Sequence, residues 1–132
     1  MNITYSSTHE FSENDLRRLF LSVNWESGNH PDKLQIAMRN YASVFSAWAG
    51  DKLVGLVCVM DDGIMTAYIQ YVLVDPEYQG QGIGRDLLNM VKDHYSEYLR
   101  IVLVAYSDKV PFYESRGFTP GVNKTPVFIE NM

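Results

Sequence analysis

The stretch that most constrains this chain is Val72-Leu73-Val74-Asp75-Pro76-Glu77-Tyr78-Gln79-Gly80-Gln81-Gly82-Ile83-Gly84-Arg85. An apolar run that reads as a strand ends there. A glycine-rich turn feeds it straight into a helix whose apolar face is Ile83, Leu87, Leu88, Val91 and Tyr95. Glycines at such a junction remove the Cβ atoms that keep a ligand away from the backbone, and they admit positive φ. Successive N–H groups of the turn and the first helical turn then point outward together, with the positive end of the helix dipole behind them. That geometry holds a phosphate or a pyrophosphate. The alternative is a ligand-free turn between a strand and a helix.

Spacing narrows the ligand. A dinucleotide fingerprint needs GxGxxG, but after Gly80 and Gly82 the third position falls on Arg85, and Gly84 comes one residue early. A P-loop needs GxxxxGK[ST], and no such lysine follows. Neither common nucleotide motif fits.

The elements around the turn set the fold class. Ser12 with Glu13 and Asp15 marks a helix start, followed by the apolar stripe Leu16, Leu19, Phe20 and Val23. Asn24 to His30 reads as a loop, and Pro31 opens a second helix with Leu34, Ala37, Met38 and Tyr41 on one face. Ser43–Ala49, Leu53–Met60 and Met65–Val74 read as strands, joined by turns at Gly50-Asp51 and Asp61-Asp62-Gly63. After the glycine turn and its helix, Arg100–Tyr106 reads as a buried strand. A short helix around Pro111–Ser115 stops at Gly117, and Pro126–Glu130 is expected to form a last strand. The order predicts a mixed α/β domain with one parallel crossover in an otherwise antiparallel sheet. A strand before the first helix is left open.

At 132 residues, with 46% hydrophobic and 20% charged content, the chain is expected to be one soluble domain over residues 1–132. The net charge of −5, with no basic tail or stripe, argues against nucleic acid as partner. No apolar run approaches the ~20 residues of a membrane helix. No signal peptide is read at the N-terminus. One cysteine, Cys58, excludes an internal disulfide and suits the cytoplasm. His9, His30 and His94 lie far apart, and no metal-ligand spacing is present, so no metal is expected.

Gln79-x-x-Gly82-x-Gly84 fits the Q/RxxGxG/A signature of the GCN5-related N-acetyltransferases (GNAT), and Val110–Phe118, VPFYESRGF, matches their FYxxxGF element. The chain resembles that family over most of its length, in the manner of its small single-domain bacterial members. The resemblance implies an acyl-CoA N-acyltransferase fold, a mostly antiparallel mixed sheet with helices on both faces. It implies acetyl-CoA as donor, with its pyrophosphate on the backbone of Gln79, Gly80, Gln81, Gly82, Ile83, Gly84 and Arg85. The strand ending at Val74 is then expected to splay from Arg100–Tyr106, and the pantetheine arm to bond main-chain groups near Val72 and Val74.

Tyr113 matches the tyrosine that in this family often protonates the departing sulfur. A phenol of pKa ~10 is protonated at neutral pH and can serve as a general acid. The other reading is a ring packed on the coenzyme wall. The base stays unassigned: where many relatives carry a Glu, this chain has Gln70 and Tyr71, while Asp61, Asp62 and Glu26 read first as solvated turn carboxylates. An Asn that follows the strand before the FY element in many relatives is also absent, which leaves Ser107 for that contact. Cys58 reads as a core thiol and His30 as a helix-start residue. Trp25, Tyr41, Tyr68 and Tyr71 read either as an acceptor pocket or as core.

The expected function is acetyl transfer from acetyl-CoA to a primary amine of a small molecule by direct attack. Acetylation of a protein lysine or N-terminus, and coenzyme A binding without turnover, are the alternatives. A homodimer is expected through the apolar Pro126–Ile129 segment.

Overall fold

The computed structural model describes residues 2–131. Five strands, β1 (Ile3–Ser6), β2 (Ser43–Ala49), β3 (Lys52–Asp61), β4 (Thr66–Val74) and β5 (Arg100–Leu103), form one sheet in chain order. The helices are α1 (Glu13–Ser22), α2 (Pro31–Asn40), α3 (Ile83–His94) and α4 (Val110–Glu114). Each neighbouring pair of strands is antiparallel except β4 and β5, which run parallel with α3 between them in sequence. Asp62 fixes the β3–β4 hairpin: its carboxylate accepts from the N–H groups of Ile64, Met65 and Thr66 at 2.7–3.0 Å.

β3 lies at the centre. Leu53 to Val59 are buried without interruption, as a strand covered on both faces must be. One face packs Phe45, Ala47, Val57 and Val59 against Ile83, Leu87, Leu88 and Val91 of α3. The other packs Val44, Leu56, Cys58 and Leu73 against Leu16, Leu19, Phe20, Leu34 and Met38 of α1 and α2. Helices therefore cover both faces, as expected. Cys58 is a core thiol whose Sγ meets Met38 Sδ at 3.5 Å, and burial pushes its pKa well up.

Gly55 sets how closely α3 lies on the sheet. A Cβ there would stand 2.9 Å from Ile83 Cγ2 and 3.2 Å from Leu87 Cδ1, so only glycine lets the first turn of α3 settle at this depth. At the far end of α3, buried Tyr95 shares its hydroxyl with Ser43 (2.7 Å) and Asp61 (2.8 Å). Burial, with the Asp61 bond, raises the Tyr95 pKa to about 12, although the Ser43 bond pulls it down. The helix is thus seated at both ends.

Two expectations about strands need correction. β5 ends at Leu103 and not at Tyr106, because β4 pairs with it only through Ile69 and then diverges. No strand forms over 126–130. The segment from Thr119 to Asn131 is exposed throughout, with Val127 at 90% and Ile129 at 96%, and no sheet edge pairs with it. Apolar β-formers need a partner strand, and neither edge of this sheet takes the segment up.

Candidate active site

The parallel pairing of β4 and β5 stops at Ile69–Leu103. β4 continues through Val74, paired with β3 on one side only. A wedge therefore opens between the two strands toward their C-terminal ends, where Ile69, Val72, Val74, Leu103, Val104 and Ala105 line a cleft of ≈ 830 Å³. Open α/β sheets bind ligands at such ends.

The glycine turn forms one end of this cleft. Gly80 and Gly82 take φ of +81° and +84°, values that L side chains rarely adopt. Gly82 is the N-cap of α3, and the first helical bond runs from Asp86 N–H to the Gly82 carbonyl at 3.0 Å. The N–H groups of Ile83, Gly84 and Arg85 precede it and have no carbonyl of the helix to bond. A Cβ on Gly82 would meet the Arg85 guanidinium at 2.5 Å, and one on Gly84 would meet the Phe112 ring at 3.3 Å. Bare backbone, helix dipole and the Arg85 cation thus converge on one spot, a fit for a pyrophosphate.

Asp75 holds this turn, and sequence reasoning missed it. The residue is buried and accepts from Glu77 N–H at 2.9 Å. Its own N–H bonds the Val54 carbonyl at 2.8 Å. Arg18 and Lys52 stand 3.9 and 3.7 Å from its other oxygen. An Asp directly before a proline at a strand end was the available signal, since that pattern caps a turn.

Of the residues picked from the motif, Val72, Val74, Gln79, Gly80, Gly82, Ile83, Gly84, Arg85 and Tyr113 all line the cleft. Gln81 does not, and is exposed. The Gln79 side-chain amide donates to the Val74 carbonyl at 2.9 Å, so that carbonyl is already engaged. Tyr113 packs edge-on against Phe112 and Phe118, and burial raises its pKa above the ordinary phenol value. Ser107 is exposed outside the lining, whereas Lys109 and Arg116 belong to it. Arg116 lies over Phe112, 5.3 Å from the ring centre, and its buried Nε has no hydrogen-bond partner among the described residues.

The other end of the cleft is aromatic. Trp25 and Tyr106 form a tilted ring pair there, centroids 6.5 Å apart, and Asn24 and Gln70 belong to the same lining. Tyr71 stands behind Trp25 at 5.8 Å, its hydroxyl on Ser27. Tyr106 reaches the cleft because β5 ends before it, at Leu103. Asp61 and Asp62 sit at the opposite end of the sheet from the cleft, in the β3–β4 hairpin. Exposed Glu26 bonds the Asn29 amide at 3.1 Å. None of these carboxylates reaches the wedge. Among the described residues no group of three or more His, Cys, Asp or Glu could hold a metal ion.

Comparison with known proteins agrees with this geometry. The model of the acetyltransferase (GNAT) domain matches residues 10–127. An N-acetyltransferase ycf52 from Pyropia yezoensis is 30% identical over 89% of this chain and 70% of its own length. A ycf52-like N-acetyltransferase from Prochlorococcus marinus is 32% identical over 80% of this chain, which spans only 61% of that relative. The GCN5-related N-acetyltransferase 2, chloroplastic, of Arabidopsis thaliana is 31% identical, and 53% of it is covered. Among solved structures, a GNAT-family acetyltransferase from Streptococcus pneumoniae superposes with a TM-score of 0.82 at 26% identity over 98% of both chains. A probable acetyltransferase from Staphylococcus aureus gives 0.86 at 18% identity, over 98% of this chain and all (100%) of that one, which speaks for the fold alone. The chain has the five-stranded mixed α/β architecture of these acetyltransferases, and it belongs to the GNAT acetyltransferase family.

Proposed function

We propose that the chain transfers the acetyl group of acetyl-CoA to the primary amine of a small molecule by direct attack. The observation that carries this reading is the wedge beyond Ile69–Leu103, which runs from the glycine turn at one end to an aromatic pair at the other. The residues present fit the donor. Its pyrophosphate would lie on the amides of Gly82 to Arg85, and its arm along Val72 and Val74. Bound there, acetyl-CoA supplies an activated acyl carbon.

The chain's own residues do the rest. The unpaired edge of β4 offers N–H groups for the oxygen of the carbonyl under attack. Tyr113, kept protonated by burial, gives its proton to the leaving sulfur. A protein lysine or N-terminus is the second acceptor class. A cleft closed at that end by the Trp25–Tyr106 ring pair favours the small molecule over a broad protein surface. Coenzyme A binding without turnover is the third reading.

The setting fits a reducing compartment, which we take to be the cytoplasm, given the single buried thiol. Among the described residues no helix is long and apolar enough to cross a membrane. A homodimer is proposed from two unpaired features, the outer edge of β5 and the exposed tail with Val127, Phe128 and Ile129.

The test is thiol release from acetyl-CoA over a panel of small amines and lysine peptides. Release with at least one small amine, faster than with any peptide, is the expected result. Binding of acetyl-CoA with no release for any acceptor would overturn transfer in favour of the binding reading.

A further inference from the structure

The charged side chains that line the cleft are Arg85, Lys109 and Arg116, all cations. None of the carboxylates nearby belongs to that lining. Asp86 accepts the Tyr5 hydroxyl at 2.7 Å and pairs with Arg85. Asp75 is buried behind the turn between Arg18 and Lys52. Glu77 faces Lys52 at 3.6 Å, and Glu26 bonds Asn29. Asp108 of the β5–α4 connection and Glu114 of α4 are exposed outside the lining. The three histidines also lie outside the lining: His9 bonds the Met38 carbonyl, His30 caps the start of α2, and His94 packs on Phe45 and Tyr95. Tyr78, Tyr106 and Tyr113 are the phenols of the cleft. Tyr113 is held protonated and so cannot accept a proton near neutral pH.

An ammonium ion entering this wedge meets no carboxylate or imidazole acceptor among the described residues. When donor phosphates neutralise the three cations, the repulsion falls but the missing acceptor is not replaced. We propose that the acceptor amine is taken as its free base, drawn from the neutral fraction in solution. The site then prefers weakly basic primary amines to strongly basic ones of the lysine or polyamine kind. The inference rests on the transfer reading above and names its substrate class.

The step balances without an enzyme base. The neutral nitrogen forms the N–C bond as the C–S bond breaks. The sulfur takes a proton from Tyr113, and the proton shed by the new amide nitrogen restores the phenol. The products are an N-acetyl amide and a thiol. The size of the preference follows from ionisation. At pH 7 an amine of pKa about 10.4 is neutral in only about one molecule in a few thousand. An α-amine of pKa about 7.7 is neutral in roughly one in six.

Ethylamine and its mono-, di- and trifluoro derivatives test this, because each fluorine lowers basicity with little change in size. With saturating acetyl-CoA, kcat/KM is measured from thiol release across pH for each amine. The expected rising limb lies at each amine's own pKa and moves with it. At pH 7 kcat/KM rises as basicity falls, the gain in free base of about tenfold per unit outweighing the loss of nucleophilicity, until the pKa passes below 7. A limb at one fixed pH for every amine would reveal a base in the enzyme and overturn the inference while leaving acetyl transfer intact. No thiol release with any amine would overturn transfer itself, and this inference with it.

Discussion

Tyr113 and Gly82 carry the sharpest expectations at the residue scale. Tyr113→Phe keeps the ring that packs on Phe112 and Phe118 and removes one hydroxyl. If that hydroxyl protonates the sulfur, kcat falls by about 10²-fold or more while acetyl-CoA affinity hardly changes. Steady-state kinetics with the donor varied checks this. A raised donor KM with near-normal kcat would mark Tyr113 as a wall of the cleft. The sign of the pH dependence follows from burial, which raises the folded-state pKa. Activity is held through neutral pH and lost only as pH climbs past the ordinary phenol value of about 10, and Tyr113→Phe should abolish that limb. Gly82→Val imposes a β-branched side chain on a φ of +84° and drives it into Arg85. Gly84→Val meets only the edge of Phe112 at 3.3 Å, so it should weaken donor binding less. Titration calorimetry of both variants with acetyl-CoA gives that order directly.

The elements that matter are α3 and its two anchors, which separate binding from stability. Gly55→Ala sets a methyl 2.9 Å from Ile83, one residue after Gly82. Overpacking of this kind costs about 1–3 kcal/mol, and lifting the first turn of α3 should weaken acetyl-CoA binding as well. Tyr95→Phe acts at the other end of the helix and strips partners from Ser43 and Asp61. A loss of about 1–2 kcal/mol is expected there, with acetyl-CoA affinity unchanged. Denaturant melts and calorimetry on the pair distinguish the two ends. A Tyr95 variant that lost donor affinity would mean the helix does not hold its N-terminus independently.

These same elements show what the sequence discloses and where it stops. α1, α2 and α3 were legible because Ser12, Pro31 and Gly82 mark their starts and a 3.6-residue stripe follows each. β2, β3 and β4 stood out by apolar runs between turn residues. β1 is only four residues, Ile3–Ser6, on the edge of the sheet, and carries no comparable signal. The apolar run Ile101–Ala105 does not tell that its partner diverges after Ile69, because that depends on pairing remote in sequence. For the same reason the glycine turn was readable, while Lys109 and Arg116 entered the cleft unannounced. Their positions follow from where β5 ends.

At the scale of the whole molecule, the family match spans residues 10–127 and so takes in part of the exposed tail. If that tail pairs with β5 of a second copy, light scattering gives a dimer for the full chain and a monomer once residues 124–132 are removed. A monomer in both cases would overturn the dimer and leave the cleft unaffected.

The central claim is that the turn from Gly80 to Arg85 holds the pyrophosphate of acetyl-CoA. Thermal unfolding with and without ligand tests it most directly, because a ligand bound only by the folded state adds about 2.7 kcal/mol at roughly one hundred times its Kd. A rise in Tm of several degrees with acetyl-CoA, smaller shifts with NAD and ATP, and loss of most of the acetyl-CoA shift in Gly82→Val are the expected results. A shift with NAD larger than that with acetyl-CoA, or an undiminished acetyl-CoA shift in a folded Gly82→Val protein, would contradict it.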